Sequence, residues 1–261
     1  MKKFLSVLLV LISKPSYAAP GFLWLHPVTE SFHIPNHILT LFIVGVVLTL
    51  AGLVYRSKIA GVDNVVIPDK GITYRNFVEA YGKFMYTQCV AVLGEKEAPK
   101  YFQFVACMFL MIWISNLIGL IPGFLPPTEF ISTTLALGAF SFLYFNAKGC
   151  KELGVINYLK HFAGPIWYMG ILIFPIEILS TFIRPISLAL RLQGNMMGDH
   201  IVLATFLNLE ILGFPIAAAL GAIPVYCLGI LVCTIQAYVF TMLSMVYINL
   251  ATAHHDHDDH H

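Results

Sequence analysis

Apolar residues run in long blocks along this chain, broken by short polar stretches. The blocks lie near 37–55, 101–123, 131–147, 167–206 and 212–250. A helix needs ~20 apolar residues to cross a bilayer, within a range of about 17–25. The pattern therefore predicts an all-α, polytopic membrane protein with about five membrane helices. The fourth and fifth blocks exceed the length of a perpendicular crossing, so they are expected to tilt, kink or bend. Pro175, Pro185, Pro215 and Pro224 supply kink points. A tilted helical hairpin is the expected form of this last pair. Residues 73–93 read differently. Phe77, Tyr81, Phe84, Met85, Cys89 and Val92 recur at helical spacing, while Arg75, Glu79 and Lys83 take other positions. This predicts an amphipathic helix on the membrane surface or on a partner, or else an ordinary packing helix.

The two ends stand apart from the blocks. Lys2 and Lys3 precede a short apolar run at 4–12, followed by Ser16-Tyr17-Ala18. That is the layout of a secretory signal peptide over 1–18, with cleavage expected after Ala18. The alternative is an uncleaved segment lying on the membrane. Residues 19–250 read as a single membrane domain. Residues 251–261 form a His/Asp-rich tail, His254-His255-Asp256-His257-Asp258-Asp259-His260-His261. Such a tract can bind metals; the simpler reading is a soluble, unstructured end.

Composition fixes the solvent. Of 261 residues, 58% are hydrophobic and only 11% are charged. Soluble domains carry about 25% charged residues. The net charge of +1 gives no basis for nucleic-acid binding. The five cysteines, Cys89, Cys107, Cys150, Cys227 and Cys233, show no metal-ligand spacing and read as small buried apolar residues, with Cys150 in a polar loop. No P-loop, metal-ligand set or nucleophile–base pair is present, so no cofactor and no catalytic residue is expected.

Charge also predicts orientation. Arg56, Lys58, Lys70, Arg75, Lys83, Lys96 and Lys100 follow the first block, and Lys148, Lys151 and Lys160 follow the third. The stretches 19–36, 123–131 and 206–212 carry no Lys or Arg. Positive loops stay cytoplasmic. The mature N-terminus is thus expected outside and the C-terminus inside, in agreement with an exported leader.

The chemistry concentrates in the fourth block. Arg191 is a permanent cation within an apolar run, where charge is costly and demands a partner or a wet path. With each residue turning about 100°, Glu177, Arg184, Ser187 and Asn195 fall within about 40° of Arg191. This polar stripe spans about 27 Å at 1.5 Å per residue, close to the hydrocarbon thickness. Arg191 lies too far from either end to snorkel easily. Arg184 can snorkel or pair with Glu177. Ser187 can bond its own backbone, and Asn195 can bridge helices. Gly194 and Gly198 would let another backbone approach closely. His200, which can titrate near neutral pH, lies about half a turn away from Arg191. Asp199 and Glu210 make an acidic, wettable outer vestibule plausible. Glu177 then opens toward the cytoplasm, and Asn195, Asp199 and His200 open outward. The arrangement describes two hydrated half-paths divided by a fixed positive charge.

Three runs carry a resemblance. They are Arg184-Pro185-Ile186-Ser187-Leu188-Ala189-Leu190-Arg191-Leu192-Gln193-Gly194-Asn195-Met196, Thr234-Ile235-Gln236-Ala237-Tyr238-Val239-Phe240 and Ser115-Asn116-Leu117-Ile118-Gly119-Leu120-Ile121-Pro122-Gly123. They resemble subunit a of the bacterial F-type ATP synthases, over most of the chain after residue 35. The resemblance implies that Arg191 is the essential arginine, with Asn195 and Gln236 as its polar neighbours. It implies that Glu177 belongs to the cytoplasmic half-channel and His200 to the outer one. It also implies a c-ring, subunit b and the other synthase subunits as partners, in the inner membrane, with ATP handled elsewhere. The coupling ion is H⁺ or Na⁺, a choice that resides mainly in the ring. One departure stands out. Members usually carry His or Glu seven residues before the glutamine, and here that position is Gly229. Asp199, Glu210, His33 or water are the available substitutes. Two rival readings remain: a secondary transporter binding an anionic solute between Arg184 and Arg191, and a purely structural scaffold. The chain lacks the matched halves that many transporters show.

Overall fold

The computed structural model describes residues 35–60, 71, 73–121, 124–154, 167–207 and 215–252. The expected signal peptide and the tail beyond Thr252 lie outside the described residues. Among the described residues the regular structure is wholly helical. Five long helices appear: α1 (Asn36–Ala60), α2 (Tyr74–Ile118), α3 (Ile131–Leu153), α4 (Trp167–Leu207) and α5 (Pro215–Thr252). A 3₁₀ turn at Pro127–Glu129 joins the α2 and α3 ends. Each expected block thus became a helix. The segments Asn36–Ala60, Tyr74–Ile118 and Ile223–Leu250 are long and apolar enough to cross a membrane by length and composition.

Helix α2 is the element that the apolar pattern describes least well. It spans 45 residues, yet it breaks at Gly94, whose φ of 81° and ψ of 166° are not helical. Only glycine reaches this backbone region without strain. Pro99, five residues on, has no N–H to give to the preceding turn. The chain therefore reverses here. The Tyr81 hydroxyl donates to the Ala106 carbonyl at 2.7 Å, Tyr86 meets Phe102 edge-on at 5.7 Å, and Tyr81 lies 5.9 Å from Phe109. These pairs straddle Gly94 almost symmetrically, so residues 74–93 fold back along the span that follows. Thr73 caps the segment by accepting from the Asn76 N–H. Its packed face is Met85, Cys89 and Leu93, not Phe77 or Phe84, which stay exposed.

The remaining helices alternate in direction. Phe104 stacks on Tyr144 at 3.8 Å between α2 and α3. Gly138 of α3 faces α4 at Pro185. A Cβ at Gly138 would stand 2.9 Å from the Pro185 carbonyl oxygen, so glycine is what admits α4 here. Ser141 donates to Ser244, and Ser244 donates to the Phe240 carbonyl, tying α3 to α5 inside the core. The buried apolar centre gathers Ile112 of α2, Leu137 and Phe145 of α3, Leu192 and Met196 of α4, and Phe240 of α5. At 1.5 Å per residue, α4 and α5 are each roughly 60 Å long, about twice the hydrocarbon thickness. They cannot stand upright within it.

Helix α1 sits apart, against α2 and the 3₁₀ turn. Phe42, Leu50 and Leu53 remain exposed, as lipid- or partner-facing residues do. The cysteines do not all behave as expected. Cys89 and Cys233 are buried, but Cys107 and Cys227 are exposed, and Cys150 is half-buried in the last part of α3 rather than in a loop. An apolar helix can present a small thiol to lipid at little cost, so apolar surroundings in sequence do not imply burial within the chain.

Candidate functional site

Helix α4 divides its faces sharply. Leu188, Ala189, Leu192 and Met196 are buried against neighbouring helices. Ser187, Leu190, Arg191, Gly194 and Asn195 are exposed, at spacings of three, one, three and one. This is one continuous helical face, because positions three and four apart lie side by side. The stripe therefore points out of the bundle rather than into it. No ion pair among the described residues involves Arg191. The Cβ positions of Gly194 and Gly198 meet no atom within 4 Å, so the face is open as well as polar.

Helix α5 supplies the other half. Gln236 is buried, and its Oε1 accepts from Asn195 Nδ2 at 2.6 Å. This bond joins the α4 stripe to α5. The sequence alone brought these two residues together only through resemblance; here they meet directly. Two contacts from α2 fix α5 at this level, and a third braces one of them. Trp113 Nε1 donates to Thr234 Oγ1 at 3.0 Å. Asn116 Nδ2 donates to the Cys233 carbonyl at 3.4 Å. Thr128 of the 3₁₀ turn donates to Asn116 Oδ1 at 2.8 Å. Asn116 is thus held at both ends of its amide, and Gln236 follows the clamped residues by one turn.

Other expected residues find distinct places. Arg184 lies with its guanidinium 5.4 Å from the ring centre of Tyr247 on α5. A cation over an aromatic face is stabilised by the ring quadrupole, so Arg184 helps fasten α4 to α5. Tyr247 carried no signal in the sequence, because a tyrosine in an apolar helix has no distinguishing spacing. Asp199 continues α4 beyond Asn195, and its Oδ2 is fully buried near Gly229. Glu177 and His200 belong to the backbone of α4, but their side chains lie outside the described residues. Glu210 lies outside them altogether.

What the arrangement can do follows from its parts. An exposed guanidinium in an apolar surface attracts an anion and resists proton transfer. A bonded Asn–Gln pair beside it provides neutral polar groups at the same depth. Open glycine positions on the same face let a second helix come close.

Comparison with known proteins gives a consistent answer. The family described as ATP synthase A chain matches residues 38–249. The chain is 40% identical over 237 residues to ATP synthase subunit a of Bdellovibrio bacteriovorus, covering 91% of this chain and 100% of that protein. It is 39% identical over 202 residues to the subunit a of Sorangium cellulosum, covering 77% and 76% of the two chains. It is 43% identical over 182 residues to the subunit a of Geobacter sulfurreducens, covering 69% and 76%.

Proposed function

The chain belongs to the ATP synthase A chain family, and from that premise we propose how its exposed polar stripe couples proton flow to rotation. It is a multi-pass membrane protein, the proton-translocating stator subunit of an F-type ATP synthase, and works with the other subunits of that complex. In our reading, Arg191 stands between two half-channels, opposite a ring of c subunits that each carry a buried carboxylate. The chain itself performs no ATP chemistry. In this reading it lies in the bacterial inner membrane with its N-terminus outside and its C-terminus in the cytoplasm, an orientation that the loop cations support. Subunit b is a further partner.

The observation that carries this reading is the exposure of Arg191 in the middle of a long apolar helix. A guanidinium facing lipid costs at least a few kcal/mol. Something with negative charge must cover it in the assembled state. A moving carboxylate fits this need, because its charge is present only where it passes Arg191.

The cycle is then physical. A proton enters by the outer half-channel and neutralises a ring carboxylate. The neutral acid can turn into lipid, because burying it costs far less than burying the anion. On the far side, Glu177 leads to the cytoplasm and the proton leaves. Arg191 holds the returning anion and lowers its proton affinity. It also blocks a direct leak, since it relays no proton. Asn195, Gln236 and Ser187 solvate this crossing point. Gly194 and Gly198 set the distance to the ring. One charge moving across 100 mV supplies about 2.3 kcal/mol, so several must sum for each ATP.

Cross-linking tests the placement. Cysteines are introduced at Leu190, on the Arg191 face, and at Leu50, on the exposed face of α1. Each is oxidised in membranes against a cysteine beside the ring carboxylate. We expect an adduct from position 190 and none from position 50. The reverse pattern would remove α4 from the ring and end the proposal.

A further inference from the structure

Among the described residues, the outer half of the α4–α5 seam holds an ionisable side chain, Asp199, in a prepared position. Asp199 lies four residues beyond Asn195, one turn further along the same seam. Its Oδ2 is fully buried and stands 3.8 Å from where a Cβ of Gly229 would be. That same Cβ would stand 2.8 Å from Leu120 Cδ2, so Gly229 lies between the turn after α2 on one side and the carboxylate on the other. Gly229 precedes Gln236 by two helical turns on α5, and Asp199 follows Asn195 by one on α4. The antiparallel helices thus carry two polar levels: Asn195 with Gln236, and Asp199 against the bare backbone at Gly229. Cys233 lies between these levels on α5.

We infer that Asp199 is the proton-carrying residue of the outer half-channel, reaching across the seam to the bare backbone at Gly229. The inference rests on the proton-translocating reading above and assigns one residue within it. A carboxyl group can bind a proton from one side of the seam and release it to the other, which neither the Asn195–Gln236 pair nor a guanidinium does. The step balances simply. A proton from water at the outer end forms the O–H bond of Asp199. That bond then breaks as the proton passes to the ring carboxylate, and Asp199 returns to its anion. Asp199 lies about 12 Å along α4 from Arg191, far enough that the two do not neutralise each other in contact.

The test uses the complete synthase in inverted membrane vesicles, with ATP-driven proton pumping and passive proton flow both measured. Subunit a and ring content are checked by immunoblot. Asp199→Asn keeps the shape and removes the exchangeable acid. We expect both proton fluxes to fall about a hundredfold with the complex assembled, the scale of a lost proton-transfer group. Asp199→Glu should retain flux. If Asp199→Asn pumps at the wild-type rate, the inference is overturned. It is equally overturned if Asp199→Asn and Asp199→Glu fail alike in assembled complexes, because shape would then be the requirement. Should Asp199→Asn not assemble, the acid is moved across the same contact with Asp199→Gly and Gly229→Asp together. Restored pumping supports the assignment, and an assembled but silent exchange variant overturns it. An Arg191→Ala control separates the two readings: if it pumps normally, the rotary account itself fails, whatever Asp199 does.

Discussion

Asn195 and Gln236 bond across the α4–α5 seam at 2.6 Å, and the bond leaves the buried Gln236 Nε2 without a partner among the described residues. The pair is therefore both a brace and an open donor. An unsatisfied buried amide group costs about 1–3 kcal/mol. A neighbouring water or the passing ring carboxylate would relieve it. The pair thus ties stability of the hairpin to occupancy of the crossing point.

Removing one member should show this coupling. Asn195→Leu strands the buried Gln236 Oε1 acceptor and should destabilise the detergent-solubilised subunit by about 1–3 kcal/mol. Pumping should fall but persist. The double variant Asn195→Leu with Gln236→Leu should be less unstable than the sum of the two singles, because the stranded group disappears. A thermal-unfolding double-mutant cycle that proves additive would refute the pairing.

Arg191 makes a stricter demand. Arg191→Ala should abolish ATP-driven proton pumping in inverted vesicles while the complex still assembles. Arg191→Lys should fail too, since a desolvated lysine can shed its proton where a guanidinium cannot. Normal pumping by either variant would contradict the role given to this residue.

Gly138 and Gly194 separate packing inside the chain from packing against a partner. Gly138→Ala places a methyl group 2.9 Å from the Pro185 carbonyl oxygen and should destabilise the isolated subunit by about 1–3 kcal/mol, the usual range for overpacking. Gly194 has open space around its Cβ position. Gly194→Leu should leave the isolated subunit as stable as wild type, yet weaken coupled proton transport by pressing on the ring. Equal losses of stability for both variants would show that the Gly194 face is not an interface.

Gly94 tests the reversal in α2. Gly94→Ala must adopt a φ of 81°, where a side chain is strained. It should cost about 1–3 kcal/mol of subunit stability. Gly52→Ala on α1, with nothing within 4 Å of its Cβ position, is the matched control. Thermal melts of the two variants give the comparison.

Much of this was legible from the sequence. The apolar blocks gave each long helix, because a bilayer rewards length and apolarity with few exceptions. The polar stripe on α4 followed from periodicity alone, and its exposed members Ser187, Arg191 and Asn195 lie together as the wheel requires. Its direction was not readable. Periodicity says which residues share a face, but not whether that face looks into the bundle or away from it. The fold-back at Gly94 was hidden for a related reason. The 74–93 pattern is amphipathic, but Phe77 and Phe84, its largest apolar members, are exposed, while Met85 and Cys89 are buried. In a membrane protein the apolar side of a helix has two possible solvents, protein and lipid. Arg184 over Tyr247 and Asn116 on the Cys233 carbonyl were unreadable because each joins helices more than sixty positions apart in the chain.

The reversed segment at the start of α2 is closed by α5, the last of the described helices. The Tyr238 hydroxyl donates to Gln88, and Asn249 donates to the Val92 carbonyl. Both contacts reach back about 150 residues or more. During synthesis, Gln88 and Val92 must wait uncovered until the carboxyl-terminal end of α5 leaves the ribosome. The early hairpin is therefore finished last. A nascent chain that stops before Asn249 would leave this clasp undone, which gives quality control a site that distinguishes a completed subunit from a truncated one.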